Sequence, residues 1–485
     1  MKLKELLDKI EAVGFSGGMK VEFGGVTYDS RKVKPGDLFV AVSGYQLDGS
    51  EFITQAVSGG ATVVVSENRL DLGSGVAHVQ VSDSRKALAE ISAVFYGELS
   101  KKMKVIGVTG TNGKTTTTYM IRDILRHAGY KTGLLGTVAY EIGGRSIPAS
   151  RTTPEAPDIH SMFAQMDEAG CEYVVMEVSS HALALKRVHG IEFSISVFTN
   201  LTQDHLDYHH DMETYFDVKA ELFRTMEKKQ GGSAVINIDD SWGRRLIGEK
   251  QVEADIVSYG FHEKATAFVT DATVSADGTR FNVSTPWGDT NIHLQLLGRF
   301  NIHNALAALC VGGLCGVDLK TVVQALENMA AVPGRLEAVP NRKNRSIFVD
   351  YAHTDDALNN VLTTLREICR GKLVVVFGCG GNRDQGKREK MGRVAAALAD
   401  WSIVTSDNPR DEEPEAIAMD ILKGFALCQQ VEVVLDRREA IAKGIAMLDR
   451  KDVLVVAGKG HETYQEIKGA VIPFDDRDTV KELIR

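Results

Sequence analysis

The sequence predicts an α/β protein of three domains: a central sheet built around a glycine-rich loop, flanked by a smaller N-terminal α/β domain and a C-terminal Rossmann-like domain. Length is the first reason, since 485 residues exceed one ordinary core at roughly 100–200 residues per domain. Alternation is the second. Short apolar runs at 104–109, 131–136, 172–178, 194–199 and 233–238 are separated by helical patterns, and a second series follows at 346–350, 372–377, 401–405, 431–435 and 452–457. The third is Val105-Ile106-Gly107-Val108-Thr109-Gly110-Thr111-Asn112-Gly113-Lys114-Thr115-Thr116, which reads as strand, glycine-rich turn, Lys-Thr and helix onset. Boundaries are expected at 98/99 and 332/333, giving domains 1–98, 99–332 and 333–485. The second boundary falls at the turn-rich hinge Val332-Pro333-Gly334-Arg335.

Composition excludes several classes. A net charge of −9 without a long basic run argues against nucleic acid as a partner. No apolar run approaches the ~18 residues of a membrane span, and the N-terminus mixes acids into an amphipathic pattern, unlike a signal peptide. The six cysteines form no Cys-x-x-Cys pair, so reduced thiols in the cytoplasm are expected. A cytoplasmic monomer acting on small molecules, with neither nucleic acid nor membrane, is the expectation.

In residues 1–98, a first helix precedes a strand-loop-strand unit over 26–41, with Lys34-Pro35-Gly36-Asp37 as a turn. A buried strand is expected at 61–65 and a helix at 87–96. Taken alone, Asp29-Ser30-Arg31 is a solvated loop.

The central loop carries the clearest chemistry. Glycines let backbone N–H groups approach phosphate oxygens, and a helix N-terminus adds favourable partial charge. Lys114 is placed to reach terminal phosphates and the Thr115 hydroxyl to sit on Mg2+. The plain alternative is a core turn that happens to hold Gly and Lys. Spacing departs from the common pattern: Gly110 and Gly113 are separated by two residues, and Val108 stands where a first Gly is usual. Ligands in parallel sheets bind beyond strand C-terminal ends, and there the polar clusters fall. Glu177 ends one strand and suits a Mg2+ site. Asp204, His205 and Asp207 follow another. Lys219, within a helix over 211–227, reads from sequence alone as a solvated lysine. Residues 266–296 alternate as a small antiparallel insertion turning at Ala276-Asp277-Gly278, and Leu297-Gly298-Arg299-Phe300-Asn301 opens a helix.

In the last domain, Gly378-Cys379-Gly380-Gly381 does not continue as Gly-x-Gly-x-x-Gly, which argues against NAD. Asp350 ends a strand in Asp350-Tyr351-Ala352-His353-Thr354. Ser406-Asp407-Asn408-Pro409-Arg410 follows another strand and as a bare pattern is a turn. Glu462, in Gly458-Lys459-Gly460-His461-Glu462, is a loop carboxylate on the same plain reading.

Thr109-Gly110-Thr111-Asn112-Gly113-Lys114-Thr115-Thr116 resembles the ATP loop of the Mur ligase superfamily, which joins amines to carboxylates using ATP and includes folylpolyglutamate synthetases. The resemblance runs through all three domains in order. It implies ATP and Mg2+ as cofactors, with Gly110 to Thr116, Asn304, Arg335 and Asp350 on the nucleotide. Arg335 and Asp350 are expected to reach ATP on rigid-body closure of the C-terminal domain. Lys114, Lys219 and His205 become the catalytic set, and Thr115, Glu177, His205 and Lys219 the metal set. Most members carry a carbamylated lysine at the position of Lys219, which converts an ammonium into a carboxylate able to bind Mg2+. Within the family, Ser30 and Gln46 match contacts to the uridine nucleotide of a muramyl dipeptide. Thr152, Thr153, Ser179 and Arg187 match contacts to its peptide. Leu185 replaces a Gln found in some members, and Asp355 replaces the Pro of an Asp-Tyr-Ala-His-Thr-Pro motif.

Asp407-Asn408-Pro409-Arg410 resembles the signature of members that add meso-diaminopimelate to UDP-N-acetylmuramoyl-L-alanyl-D-glutamate in peptidoglycan precursor synthesis. Diaminopimelate differs from lysine by one far carboxylate, which an Arg grips with charge-assisted bonds worth roughly 1.5–3 kcal/mol each. Arg410 would be that Arg and Arg383 a second cation, while Glu462 would take the far ammonium with Gly458 beside it. Three alternatives stand: a lysine-adding ligase, opposed by Arg410; a folylpolyglutamate-type ligase, opposed by residues 1–98 and Asp-Asn-Pro-Arg; and a nucleotide-switched binding module, opposed by an organised amine pocket.

Overall fold

A computed structural model describes residues 1–43, 48–73, 75–226, 231–249, 252–341, 343, 345–426 and 430–484. The chain divides into two compact units: residues 1–109, 130–196 and 221–232, and residues 110–129, 197–220 and 233–485.

The first unit contains two sheets. In the N-terminal one, the strands lie in the order Gly14–Ser16, Ala77–Gln80, Val63–Ser66, Leu38–Val40 and Val26–Thr27, parallel except at the first pair. Helices cover both faces, and the strands are accordingly apolar on both. Leu38, Val40, Val63 and Val65 pack with Leu6, Leu88 and Ile91 on one side, and Phe39 and Val64 with Ile53 and Ala56 on the other. Helix Ser84–Phe95 starts three residues before its expected onset because Asp83 caps it, accepting from the Arg85 and Lys86 N–H groups.

The second sheet of this unit sets Tyr173–Glu177 between the parallel strands Lys104–Thr109 and Thr132–Leu135. It continues through an unforeseen antiparallel hairpin, Ala139–Ile142 and Arg145–Pro148. Gly143 and Gly144, at φ 55° and 88°, supply the positive-φ pair that a two-residue hairpin turn needs.

In the second unit, helix Lys114–His127 lies against Arg299–Leu314. The strands Ser233–Asn237, Asp255–Gly260, Ala267–Ser275, Gly278–Ser284 and Thr290–Leu294 follow in chain order, the last three antiparallel as expected. A six-stranded sheet then runs Glu337–Ala338, Ser346–Asp350, Val453–Ala457, Leu373–Phe377, Trp401–Val404 and Val431–Val433. All its pairs are parallel except the first. Alternate residues enter separate cores, Val375 and Phe377 on one face and Val374 and Val376 on the other. A second unforeseen hairpin, Tyr464–Ile467 and Ala470–Pro473, follows the last strand of this sheet.

Candidate functional site

Each unit gathers sequence-predicted residues at its strand ends. In the second unit, Gly110 and Gly113 have φ of 144° and 87°. A Cβ on Gly110 would lie 1.9 Å from Thr199 Oγ1, and one on Gly113 2.4 Å from Asn304 Oδ1, so neither place admits a side chain. Between them, the Asn112 N–H donates to Asn200 Oδ1 at 2.9 Å and Thr111 Oγ1 to the Thr202 carbonyl at 3.1 Å. Thr115 and Thr116 are buried in the first helical turn.

Lys114 Nζ donates to the carbonyls of Gly110 at 2.9 Å and Thr111 at 2.8 Å. Lys219 Nζ donates to the same Gly110 oxygen at 2.9 Å. Two lysines thus converge on one carbonyl. Lys219 is 1% exposed, which corrects its plain reading as a solvated residue. Its sequence context held the signal: Tyr215, Phe216, Ala220, Leu222 and Phe223 are all buried, and 219 falls on that stripe at helical spacing. Burial and the neighbouring Lys114 charge hold its ammonium well below the ordinary lysine pKa.

Arg335 reaches the loop, its Nη2 donating to Thr115 Oγ1 at 2.9 Å, with its guanidinium over the Tyr351 ring. Its Nε is buried without a partner among the described residues. Asp350 sits behind it, accepting from the Leu336 N–H at 2.5 Å and the Ala352 N–H at 2.7 Å. Burial pushes its carboxyl up to about 6 against the pull of Arg335. Asn304 Oδ1 accepts from Thr117 Oγ1 at 3.3 Å. His205, in the left-handed region at φ 55°, has Nε2 3.4 Å from Asp204 Oδ2, and His353 lies 3.8 Å from the same oxygen. Burial disfavours the Asp204 charge, but His205, His353 and Lys387 outweigh it and hold the carboxyl below the usual range. Asp356, in the first turn of helix Asp355–Ile368, accepts from Asn112 Nδ2 at 2.7 Å.

The predicted amine residues also assemble in this unit. Lys459 is fully buried and donates to Asn408 Oδ1 at 3.0 Å, Glu462 Oε2 at 3.1 Å and Asp407 Oδ1 at 3.4 Å. Asn408 Nδ2 donates to Glu462 Oε2 at 2.9 Å. Glu462 is therefore part of a buried cluster, not a plain loop carboxylate. A Cβ on Gly458, at φ 116°, would lie 2.9 Å from Asp407 Oδ2. Arg410 donates from Nε to Glu466 Oε2 at 3.0 Å and from Nη1 to the Gly381 carbonyl at 2.8 Å. Pro409 is buried with its carbonyl against Gly381, and Arg383 is exposed on the loop that follows. Lys459 escaped the sequence reading because its three partners lie 3 to 52 residues away.

In the first unit, Glu177 accepts from the Thr137 N–H at 2.8 Å and hydroxyl at 2.9 Å. Thr152 Oγ1 lies 3.1 Å from the same hydroxyl oxygen. Thr153 Oγ1 donates to the Glu177 carbonyl at 2.8 Å and accepts from the Ser179 N–H at 3.1 Å. Ser179 caps helix Ser180–Ala184. Arg187 donates to the Thr153 carbonyl at 3.0 Å and pairs with Glu155 at 2.8 Å, and its Nε is buried without a partner among the described residues. The structure thus joins Thr152, Thr153, Glu177, Ser179 and Arg187. Ser30 stands apart, donating to Gln55 Oε1 at 2.7 Å from a short turn capped by Asp29. Gln46 lies outside the described residues.

Three family models match the chain in order: Mur ligase family, catalytic domain, at residues 22–96; Mur ligase middle domain, at 108–312; and Mur ligase, glutamate ligase domain, at 334–460. A Clostridium tetani protein named UDP-N-acetylmuramoyl-L-alanyl-D-glutamate--2,6-diaminopimelate ligase is 44% identical, with 100% of this chain and 99% of that protein covered. A solved structure of an enzyme of that name is 33% identical, with a TM-score of 0.70 over 100% of this chain and 98% of the other. The MurF ligase of Thermotoga maritima, solved in complex with ADP, shares the fold at 19% identity, with a TM-score of 0.66 over 95% and 96% of the two chains.

Proposed function

The chain belongs to the Mur ligase family, and from that premise we propose that it is an ATP-dependent ligase adding meso-diaminopimelate to UDP-N-acetylmuramoyl-L-alanyl-D-glutamate. The observation that carries the diaminopimelate reading is the charge arrangement at the strand ends of the C-terminal sheet. A buried acid pair, Asp407 and Glu462, suits an ammonium, and Arg410 beside it suits a carboxylate. Residues 1–98 would hold the nucleotide end of the acceptor with Ser30 and Gln46, residues 99–332 the ATP, and residues 333–485 the amine. Arg187 Nε is a buried donor available to an acidic group of the acceptor peptide.

The γ-phosphoryl group of ATP passes to an oxygen of the D-Glu side-chain carboxylate, leaving ADP. The diaminopimelate nitrogen attacks the acyl carbon, the carbon–oxygen bond to phosphate breaks, and the nitrogen sheds its proton as the amide forms. Lys114 and Arg335 place positive charge in the loop, where phosphoryl negative charge is transferred. If the carboxylate is labelled with 18O, one labelled oxygen appears in the released phosphate. Unlabelled phosphate would overturn the acyl phosphate route.

Among the described residues, no group of three or more His, Cys, Asp or Glu side chains is arranged to hold a metal. Mg2+ is commonly held by one or two carboxylates together with substrate phosphates. In the second unit, Thr115, His205 and a carbamylated Lys219 would supply donors for such an ion, which would neutralise phosphate charge. Lys219 suits the modification. Its depressed pKa favours the neutral amine that reacts with CO2, and the carbamate anion beside Lys114 replaces repulsion with attraction. Protein equilibrated with 13C-bicarbonate is expected to show a carbamate carbon resonance that Lys219→Ala lacks. Identical spectra would remove the carbamate.

A further inference from the structure

Lys459 carries a buried charge that the bond-making steps do not call on. Its ammonium is fully enclosed and lies within 3.4 Å of Asp407, Asn408 and Glu462, with the Tyr464 ring 5.5 Å away. Both Lys459 and Asn408 bond the same Glu462 oxygen, Oε2, and among the described residues none bonds Oε1. One positive charge therefore faces two carboxylates.

We propose that Lys459 is a positioning residue for the amine: its buried ammonium balances one of the two carboxylates, so that Asp407 and Glu462 together admit one incoming ammonium group. The proposal rests on the amine-adding reading above and adds the residue that sets the pocket's charge.

The surroundings of Glu462 explain why such a residue is needed. Asp407 and Asn408 approach from the end of strand Trp401–Val404, Arg437 from helix Arg437–Ala446, Tyr351 from beyond strand Ser346–Asp350, and Tyr464 from the hairpin. Arg437 is already committed, paired twice with the buried Asp476 at 2.8 and 2.7 Å. Burial raises the Glu462 pKa, Asp407 adds to the rise, and Lys459 opposes both. Without the Lys459 charge, Glu462 takes up a proton at higher pH, and a neutral carboxyl no longer attracts an ammonium.

The test compares wild type with Lys459→Met in phosphate release, each variant referred to wild type at the same pH. The Met variant is expected to raise the KM for meso-diaminopimelate about tenfold or more at pH 7, with the ratio falling by up to about tenfold per unit as pH rises. Its kcat at saturating amine and its KM for ATP should stay within about threefold of wild type, because uniform binding alone is lost. Lys459→Arg should give a pH-independent ratio. Asp407→Asn/Lys459→Met, with one carboxylate removed along with the cation, should also return the ratio to pH independence. A pH-independent KM ratio in Lys459→Met, or no recovery in the paired variant, overturns the proposal. If the Met variant does not fold, Lys459→Gln, which keeps a donor in the cluster, is read by the same two criteria. Wild-type protein inactive with diaminopimelate would instead overturn the amine-adding reading.

Discussion

Replacing Lys114 by Met is expected to lower kcat for ligation by about 10³-fold, the scale associated with a cation that stabilises phosphoryl transfer. Lys114 Nζ lies 2.9 Å from the Gly110 carbonyl and 2.8 Å from the Thr111 carbonyl, so it holds charge within the loop. The variant should remain folded. With Lys219 unmodified, its ammonium donates to the same Gly110 oxygen, so removing one cation relieves the repulsion between the two. Phosphate release together with a thermal melt separates these effects. A kcat within tenfold of wild type would contradict the assignment, and loss of the melt transition would contradict the repulsion argument.

Arg410→Met is expected to reduce selectivity for meso-diaminopimelate over L-lysine by about 10²-fold or more, because a forked pair of charge-assisted bonds at roughly 1.5–3 kcal/mol each is lost. The effect should lie mainly in the KM for diaminopimelate. Arg410 occupies the left-handed region at φ 52°, uncommon for a residue with a side chain. The hairpin holds it there: the Arg410 N–H donates to the Glu466 carbonyl at 3.0 Å, and the Lys468 N–H donates to the Arg410 carbonyl at 2.7 Å. Its side chain is anchored to Glu466 and to the Gly381 carbonyl, which fixes the fork before any ligand arrives. Arg410→Lys keeps the charge but loses the fork, and should fall between wild type and the Met variant. Unchanged selectivity in both would remove Arg410 from amine recognition.

The sheets and the glycine loop were legible because they are local. Five apolar runs predicted the strands from Lys104–Thr109 to Ser233–Asn237, and Gly110 and Gly113 marked close approaches that a Cβ would block. Both missed hairpins carried a local signal as well. Gly143-Gly144 and Lys468-Gly469 adopt positive φ as paired turn residues, and each lies between short alternating runs. Lys219 was also readable in principle, since its position on an apolar stripe conflicted with its charge. The Lys459 cluster was not readable. Its geometry depends on bringing the end of strand Trp401–Val404 beside the end of Val453–Ala457, and neither segment alone says which lysine is buried or what it bonds. Glu462 likewise looked like any loop carboxylate until Asn408 and Lys459 converged on one of its oxygens. The resemblance named many of these residues, and the folded geometry showed how they act on one another.

The most direct test of the central claim is phosphate release with ATP, Mg2+ and UDP-N-acetylmuramoyl-L-alanyl-D-glutamate, comparing meso-diaminopimelate with L-lysine as the added amine. Release that depends on diaminopimelate and is at least about 10²-fold more efficient than with lysine is the predicted result, given the worth of the far-carboxylate grip. Equal efficiency with lysine would contradict the recognition of the far carboxylate by Arg410, and no release with either amine would contradict the ligase assignment itself.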